Sequence, residues 1–155
     1  VGADLNVMLP AINRMICAGA TDGMFVTMLM VVHDPKTQSF EYFNAGHPCW
    51  VITESDGRQL RTHQIPLGFS IDTDYSASDR LVLEPGDILL MPTDGIQETP
   101  GEEGLFGTVR MLEIVRQRRE DAAHLIVEGL IDAAIRFSGS QKPNDDMTAI
   151  VIKAL

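Results

Sequence analysis

Residues 24–44 read MFVTMLMVVHDPKTQSFEYFN, and this stretch decides the fold class. Residues 24–32 form an almost continuous apolar run rich in β-branched and other large side chains. The run is too short for a core helix and stops at Asp34-Pro35, so it predicts a buried strand ending in a turn. From Ser39 the pattern alternates through Phe40, Tyr42 and Asn44, which predicts a return strand and a β-hairpin closed by residues 34–38.

Further strands follow. Residues 50–53 lead into the turn Ser55-Asp56-Gly57, and residues 78–83 lead into the turn Glu84-Pro85-Gly86-Asp87, after which residues 88–91 are wholly apolar. Upstream, Leu5, Met8, Leu9, Ile12, Met15 and Ile16 recur at helical spacing, with Asn6 as the expected cap and Pro10 in the first turn, where its missing N–H costs little. Beyond Pro100 the period lengthens towards 3.6. Val109, Leu112 and Val115 mark one helix, and Ile126, Leu130, Ala133, Ala134 and Phe137 mark another, with Thr108 and Asp121 as expected N-caps. Residues 138–144 are polar with Gly and Pro, and residues 149–153 close the chain as an apolar strand. Strands, then helices, then a last strand indicate an α+β domain built on antiparallel pairing, not a doubly wound sheet.

A length of 155 residues suits one domain, and 45% hydrophobic with 22% charged residues is the composition of a folded globular chain. Twelve basic and 22 acidic side chains give a net charge of −10, which repels phosphate backbones and anionic lipid surfaces. Nucleic acid and membrane are therefore not expected partners. Cys17 and Cys49 lie far apart without a C-x-x-C pair and read as buried free thiols. No stretch reaches the roughly 18 apolar residues of a membrane span, and no signal-peptide pattern is present, so a cytoplasmic setting is the expectation.

Two acidic motifs stand at the ends of apolar strands, where a rigid scaffold can hold side chains at a sheet edge: Thr93-Asp94-Gly95 and Asn144-Asp145-Asp146-Met147-Thr148. Clustered carboxylates suit hard divalent cations such as Mg2+ or Mn2+. Taken singly, Asp94-Gly95 also reads as a common turn pair, and Asp145-Asp146 as a solvated loop with a local Asx turn. His47, in Gly46-His47-Pro48, reads first as a tight connection between strands. His33, His63 and His124 show no partner pattern, and the methionines with Phe25, Phe40 and Phe43 read as core.

In order along the chain stand Met24-Phe25-Val26-Thr27, Asn44-Ala45-Gly46-His47-Pro48, Pro66-Leu67-Gly68, Glu84-Pro85-Gly86-Asp87, Thr93-Asp94-Gly95, Phe106-Gly107 and Asp145-Asp146-Met147-Thr148. This ordered series resembles the type 2C-like metal-dependent serine/threonine protein phosphatases, in their bacterial sporulation-stage-II-E branch, from about Asn13 to the end. The resemblance implies a four-layer α-β-β-α sandwich of mostly antiparallel sheets, with residues 1–155 as the C-terminal part of a single phosphatase domain. It implies Asp94 and Asp145 as catalytic metal ligands, Asp146 as a neighbouring ligand, and two Mn2+ or Mg2+ ions in the intact domain that activate water for attack on a phosphoserine or phosphothreonine phosphorus.

The expected substrate is a phosphorylated regulatory protein, an anti-sigma-factor antagonist or similar, and a sensor or receiver domain is expected upstream. The family also takes metal ligands from an earlier Asp-x-x-Gly-His-Gly motif, which Ala45-Gly46-His47 echoes only in part and in a different place. The chain is therefore expected to begin after that motif, incomplete at its N-terminus, with open sheet edges that a second copy of the chain could cover in a homodimer. The rival reading is a catalytically inactive phosphatase-like module that binds a partner.

Overall fold

The computed structural model describes residues 5–19, 23–75, 79–140 and 145–155. Its elements are α1 (Leu5–Gly19), β1 (Met28–Asp34), β2 (Ser39–Ala45), β3 (Trp50–Ile52), β4 (Gly57–Gln59), β5 (Asp79–Val82), β6 (Ile88–Pro92), α2 (Asp94–Gln97), β7 (Pro100–Gly101), β8 (Gly104–Leu105), α3 (Gly107–Gln117), α4 (Ala123–Ser138) and β9 (Ala149–Lys153). They fall into two compact units, Val1–His47 with Arg61–Val82, and Pro48–Leu60 with Leu83–Leu155.

The first unit lays α1 on a sheet of order β1-β2-β5. The expected hairpin is present: β1 pairs antiparallel with β2 from Met28↔Ala45 to Asp34↔Ser39. Its turn is organised by Asp34, whose carboxylate accepts the Lys36 N–H and the Thr37 hydroxyl, both at 2.9 Å. The Lys36 N–H, then the Thr37 hydroxyl, hold this carboxyl below its ordinary pKa. Met28, Met30 and Val32, alternate residues of β1, pack with Phe43, Ala45, Leu67 and Tyr75 against Leu5, Leu9, Ile12 and Ile16 of α1. Buried Asn13 of α1 is satisfied by a loop, accepting the Gly68 N–H and donating to the Ser70 carbonyl, both at 2.9 Å.

In the second unit the sheet order is β4-β3-β6-β9, all antiparallel. Trp50 and Ile52 of β3 with Ile88 and Leu90 of β6 present one face to Met111 and Val115 of α3 and to Ile126, Leu130 and Ala134 of α4. The alternate residues Val51 and Leu89 are buried as well, which is why β6 is apolar at successive positions. The turn before β6 forms as expected, with the Asp87 N–H on the Glu84 carbonyl at 2.9 Å and Gly86 at φ 90°, a left-handed conformation that favours glycine. Cys49 is buried, and desolvation pushes its thiol up to about 12, so it is inert at neutral pH.

The α+β fold of mostly antiparallel sheets is thus observed, and among the described residues no further strand pairs with β1, β5, β4 or β9, so both sheets keep open edges. Several local expectations change. Helix α1 includes Asn6, which is not its cap, and carries Pro10 inside, because burial of Leu5 together with Leu9 extends the helix back past the proline. Strand β1 begins at Met28; within residues 24–27 only Val26 bridges, to Leu67, and Met24 and Phe25 are exposed instead of core. Phe25 contacts exposed Phe69, the two rings tilted by 38° with centroids 5.1 Å apart.

Neither Thr108 nor Asp121 caps a helix. Phe106 and Ala122 hold those positions, Thr108 lies inside α3 and donates to Gln97 Oε1, and Asp121 pairs with Arg118. Val109 is exposed, the inward positions of α3 being Met111 and Val115. Cys17 is only half-buried. Ser78 and Asn144 lie outside the described residues.

Leu90 is fully buried at the centre of the second unit. Leu90→Ala is expected to destabilise the fold by about 2–5 kcal/mol, read as a fall in the urea unfolding midpoint.

Candidate functional site

Both acidic motifs belong to the second unit, and the β6–β9 ladder brings them together. That ladder runs from Ile88↔Lys153 to Pro92↔Ala149. It continues one step past the strand ends, where the Thr93 N–H donates to the Thr148 carbonyl at 2.8 Å. Asp94 follows Thr93 directly, while Asp145 and Asp146 precede Thr148, so chain segments 53 residues apart in sequence, as counted from Thr93 to Asp146, converge at one sheet end.

The Asp-Gly pair does not form a simple turn. Asp94 opens the one-turn helix α2, in which Ile96 is fully buried and the Glu98 N–H returns to the Asp94 carbonyl at 2.8 Å. Buried Thr99 donates its hydroxyl to the Gly95 carbonyl at 2.7 Å. Packing of Ile96 with Phe106 in the core thus anchors the turn, while the side chain of Asp94 remains exposed.

Gly95 is required by close approach. A Cβ built there would run into the Asp146 carbonyl oxygen, and would lie 3.1 Å from the Asp146 carbonyl carbon and 3.4 Å from Asp145 Cβ. On the other segment, Met147 packs against the core formed by α3, α4 and the sheet, which leaves Asp145 and Asp146 exposed at the rim. Asp145 Oδ1 accepts the Asp146 N–H at 2.7 Å, the local Asx contact expected of such a pair.

Among the described residues, Asp94 and Asp146 have no side-chain partner, Asp145 has only that backbone N–H, and no cation pairs with any of them. An oxygen-only, solvent-facing set of carboxylates without a counter-charge fits a hard divalent cation and offers nothing to a soft one. Among the described residues, no group of three or more His, Cys, Asp or Glu side chains is arranged to hold a metal.

His47 occupies a tight connection, as expected. Its N–H donates to Asn44 Oδ1 at 2.8 Å, Asn44 donates back to the His47 carbonyl at 2.9 Å, and Gly46 sits at φ 78°. His63, for which the sequence offered no partner, is buried in the first unit and stacks on Phe43. The Asn44 N–H donates to its Nδ1 at 3.0 Å, which leaves the ring proton on Nε2, 3.2 Å from Asp79 Oδ2 but not aligned for a hydrogen bond. Partners at positions 44 and 79 come from fold contacts that no local pattern encodes.

Residues 1–155 match the family described as Stage II sporulation protein E (SpoIIE). The chain belongs to the SpoIIE family. It is 27% identical over 149 residues to the phosphoserine phosphatase RsbU of Bacillus subtilis, covering 94% of this chain and 44% of that protein. To the stage II sporulation protein E of Bacillus subtilis it is 23% identical over 156 residues, covering 98% and 18%. The chain thus spans less than half the length of these curated relatives.

Among solved structures, the PP2C phosphatase domain of SpoIIE from Bacillus subtilis, with a fragment of its regulatory domain, superposes with a TM-score of 0.81 at 23% identity, covering 98% of this chain and 44% of that one. The SiaA-PP2C domain of Pseudomonas aeruginosa gives 0.79 at 18%, covering 97% and 61%. This SpoIIE-family chain has the PP2C-like fold. Among its described residues, no helix is long and apolar enough to cross a membrane.

Gly95→Ala is expected to force the two aspartate segments apart and cost about 1–3 kcal/mol, whereas Gly19→Ala, with open space around its Cβ, should be neutral or mildly stabilising. Urea unfolding of the two variants checks the contrast.

Proposed function

We propose that this chain is the C-terminal part of one metal-dependent protein serine/threonine phosphatase domain, acting on a phosphorylated regulatory protein in bacterial signalling. The observation that carries the reading is the convergence of Asp94 with Asp145 and Asp146 through the Thr93–Thr148 hydrogen bond and the Gly95 contact. RsbU, a relative, is a phosphoserine phosphatase, and one solved structure of the SpoIIE phosphatase domain from Bacillus subtilis was Mn presoaked.

Asp94 and Asp145 would hold Mn2+ or Mg2+ through carboxylate oxygens, with Asp146 beside them. When bound, two such ions supply Lewis-acid stabilisation of phosphoryl charge and a water of lowered pKa. The aspartates are ligands in this scheme and not nucleophiles, so no covalent phosphoenzyme forms. Their exposure leaves the rim open to a residue as large as a phosphorylated side chain on a protein surface. The substrate class we assign is a small regulatory protein of the anti-sigma-factor-antagonist kind, with a sensor or receiver domain in the same polypeptide and a cytoplasmic setting.

A second reading is favoured by the lack of a three-ligand group among the described residues: a phosphatase-like module that binds a partner without turnover. The two separate in one experiment on the full-length protein. Asp94→Asn and Asp145→Asn are each expected to lower Mn2+-dependent hydrolysis of a phosphoserine protein by at least about a hundredfold, with the unfolding temperature of the metal-free protein little changed. Normal turnover by both variants refutes the metal-phosphatase reading. Absence of turnover in the wild type, with binding of the phosphoprotein retained, establishes the second. Activity retained by Asp145→Asn and lost by Asp146→Asn would move the ligand role to Asp146.

A further inference from the structure

The hydroxyl of Thr93 has a use that strand pairing alone does not explain. Thr93 Oγ1 accepts the Thr148 N–H at 2.9 Å and donates to the Asp146 carbonyl at 3.0 Å, with the Thr148 carbonyl at 3.4 Å. Residues 145–148 belong to no helix or strand, and the ladder reaches them only through the bond from the Thr93 N–H to the Thr148 carbonyl. One side chain therefore satisfies two backbone groups that flank Met147, the Asp146 carbonyl and the Thr148 N–H, in the segment that follows Asp145. On its other side the same segment is pressed against Gly95. The Asp145–Asp146 backbone is thus held between the residue before Asp94 and the residue after it.

We propose that Thr93 is a positioning residue, which sets the spacing between the carboxylates of Asp94 and Asp145 by clamping the backbone of residues 146–148. The inference rests on the phosphatase reading above, because it assumes that those carboxylates bind metal together. Partners that orient metal ligands from outside the coordination sphere typically change metal affinity about 10- to 100-fold when removed. The chemistry asked of Thr93 is a hydroxyl on a β-branched or short side chain at this backbone position. Serine supplies it, whereas valine keeps the shape and leaves the Thr148 N–H and the Asp146 carbonyl without that partner.

The test is Mn2+ titration calorimetry on the full-length protein, with thermal unfolding of the metal-free form measured alongside. Thr93→Val is expected to raise the Mn2+ Kd about tenfold, and Thr93→Ser to stay within about twofold of wild type. Thr93→Ala reads the same loss should valine fail to fold. A purely structural threonine would lower the unfolding temperature in Thr93→Val and leave the Mn2+ Kd unchanged, and that result overturns the proposal. Asp94→Asn distinguishes loss of the Thr93 role from loss of the metal site itself. If it loses Mn2+ binding while Thr93→Val and Thr93→Ala bind like wild type, only the role of Thr93 falls. If Asp94→Asn also binds Mn2+ normally, the metal-site reading falls and the inference with it.

Discussion

The antiparallel pairing of β6 with β9 is the constraint on which the candidate site depends. Neither acidic motif can form a shared site by itself, since the helical segment α3–α4 separates them in sequence. Pairing Leu90 with Val151 and Pro92 with Ala149 brings the strand ends level, and the Thr93–Thr148 hydrogen bond carries that register to the aspartates. A slip of one residue would reverse the faces of Ile88 and Leu90, which pack under α3 and α4, so burial of the core also protects the register of the site. Stability and site geometry are in this way set by the same side chains.

Charge works in the opposite direction at the rim. Asp94, Asp145 and Asp146 are exposed and have no cationic partner among the described residues, so their mutual repulsion is opposed by solvent, by the Thr93 hydrogen bonds and by the packing beneath. Met147 and Ile96 supply that packing, each lying next to or near an acidic residue in sequence and each turned into the core. Apolar anchors beside exposed acids hold carboxylates at fixed positions without pairing them.

Much of this was legible in the sequence. Apolar runs bounded by turn residues marked β6 and β9, alternation through Phe40 and Tyr42 marked β2, and 3.6-residue spacing marked α3 and α4, because burial imposes its period directly on the chain. The ends were less legible. Asn6, Thr108 and Asp121 had the chemistry of caps, yet helix ends were set by which apolar residues reached the core: Leu5 drew α1 past its expected start. The run 24–32 looked uniformly buried, but only Met28 onward found a paired strand, since hydrophobicity does not reveal where a neighbour ends. At the site, the aspartates could be named from their motifs. The steric demand on Gly95, the double contact of Thr93 and the partners of His63 each require knowing which distant backbone lies alongside.

Joint binding of metal by Asp94 and Asp145, as proposed above, can be read from anomalous diffraction at the manganese edge, using Mn2+-soaked crystals of the full-length protein. A manganese peak is expected about 2.0–2.5 Å from carboxylate oxygens of both Asp94 and Asp145. Manganese bound elsewhere in those crystals, with both carboxylates free of metal, would contradict it.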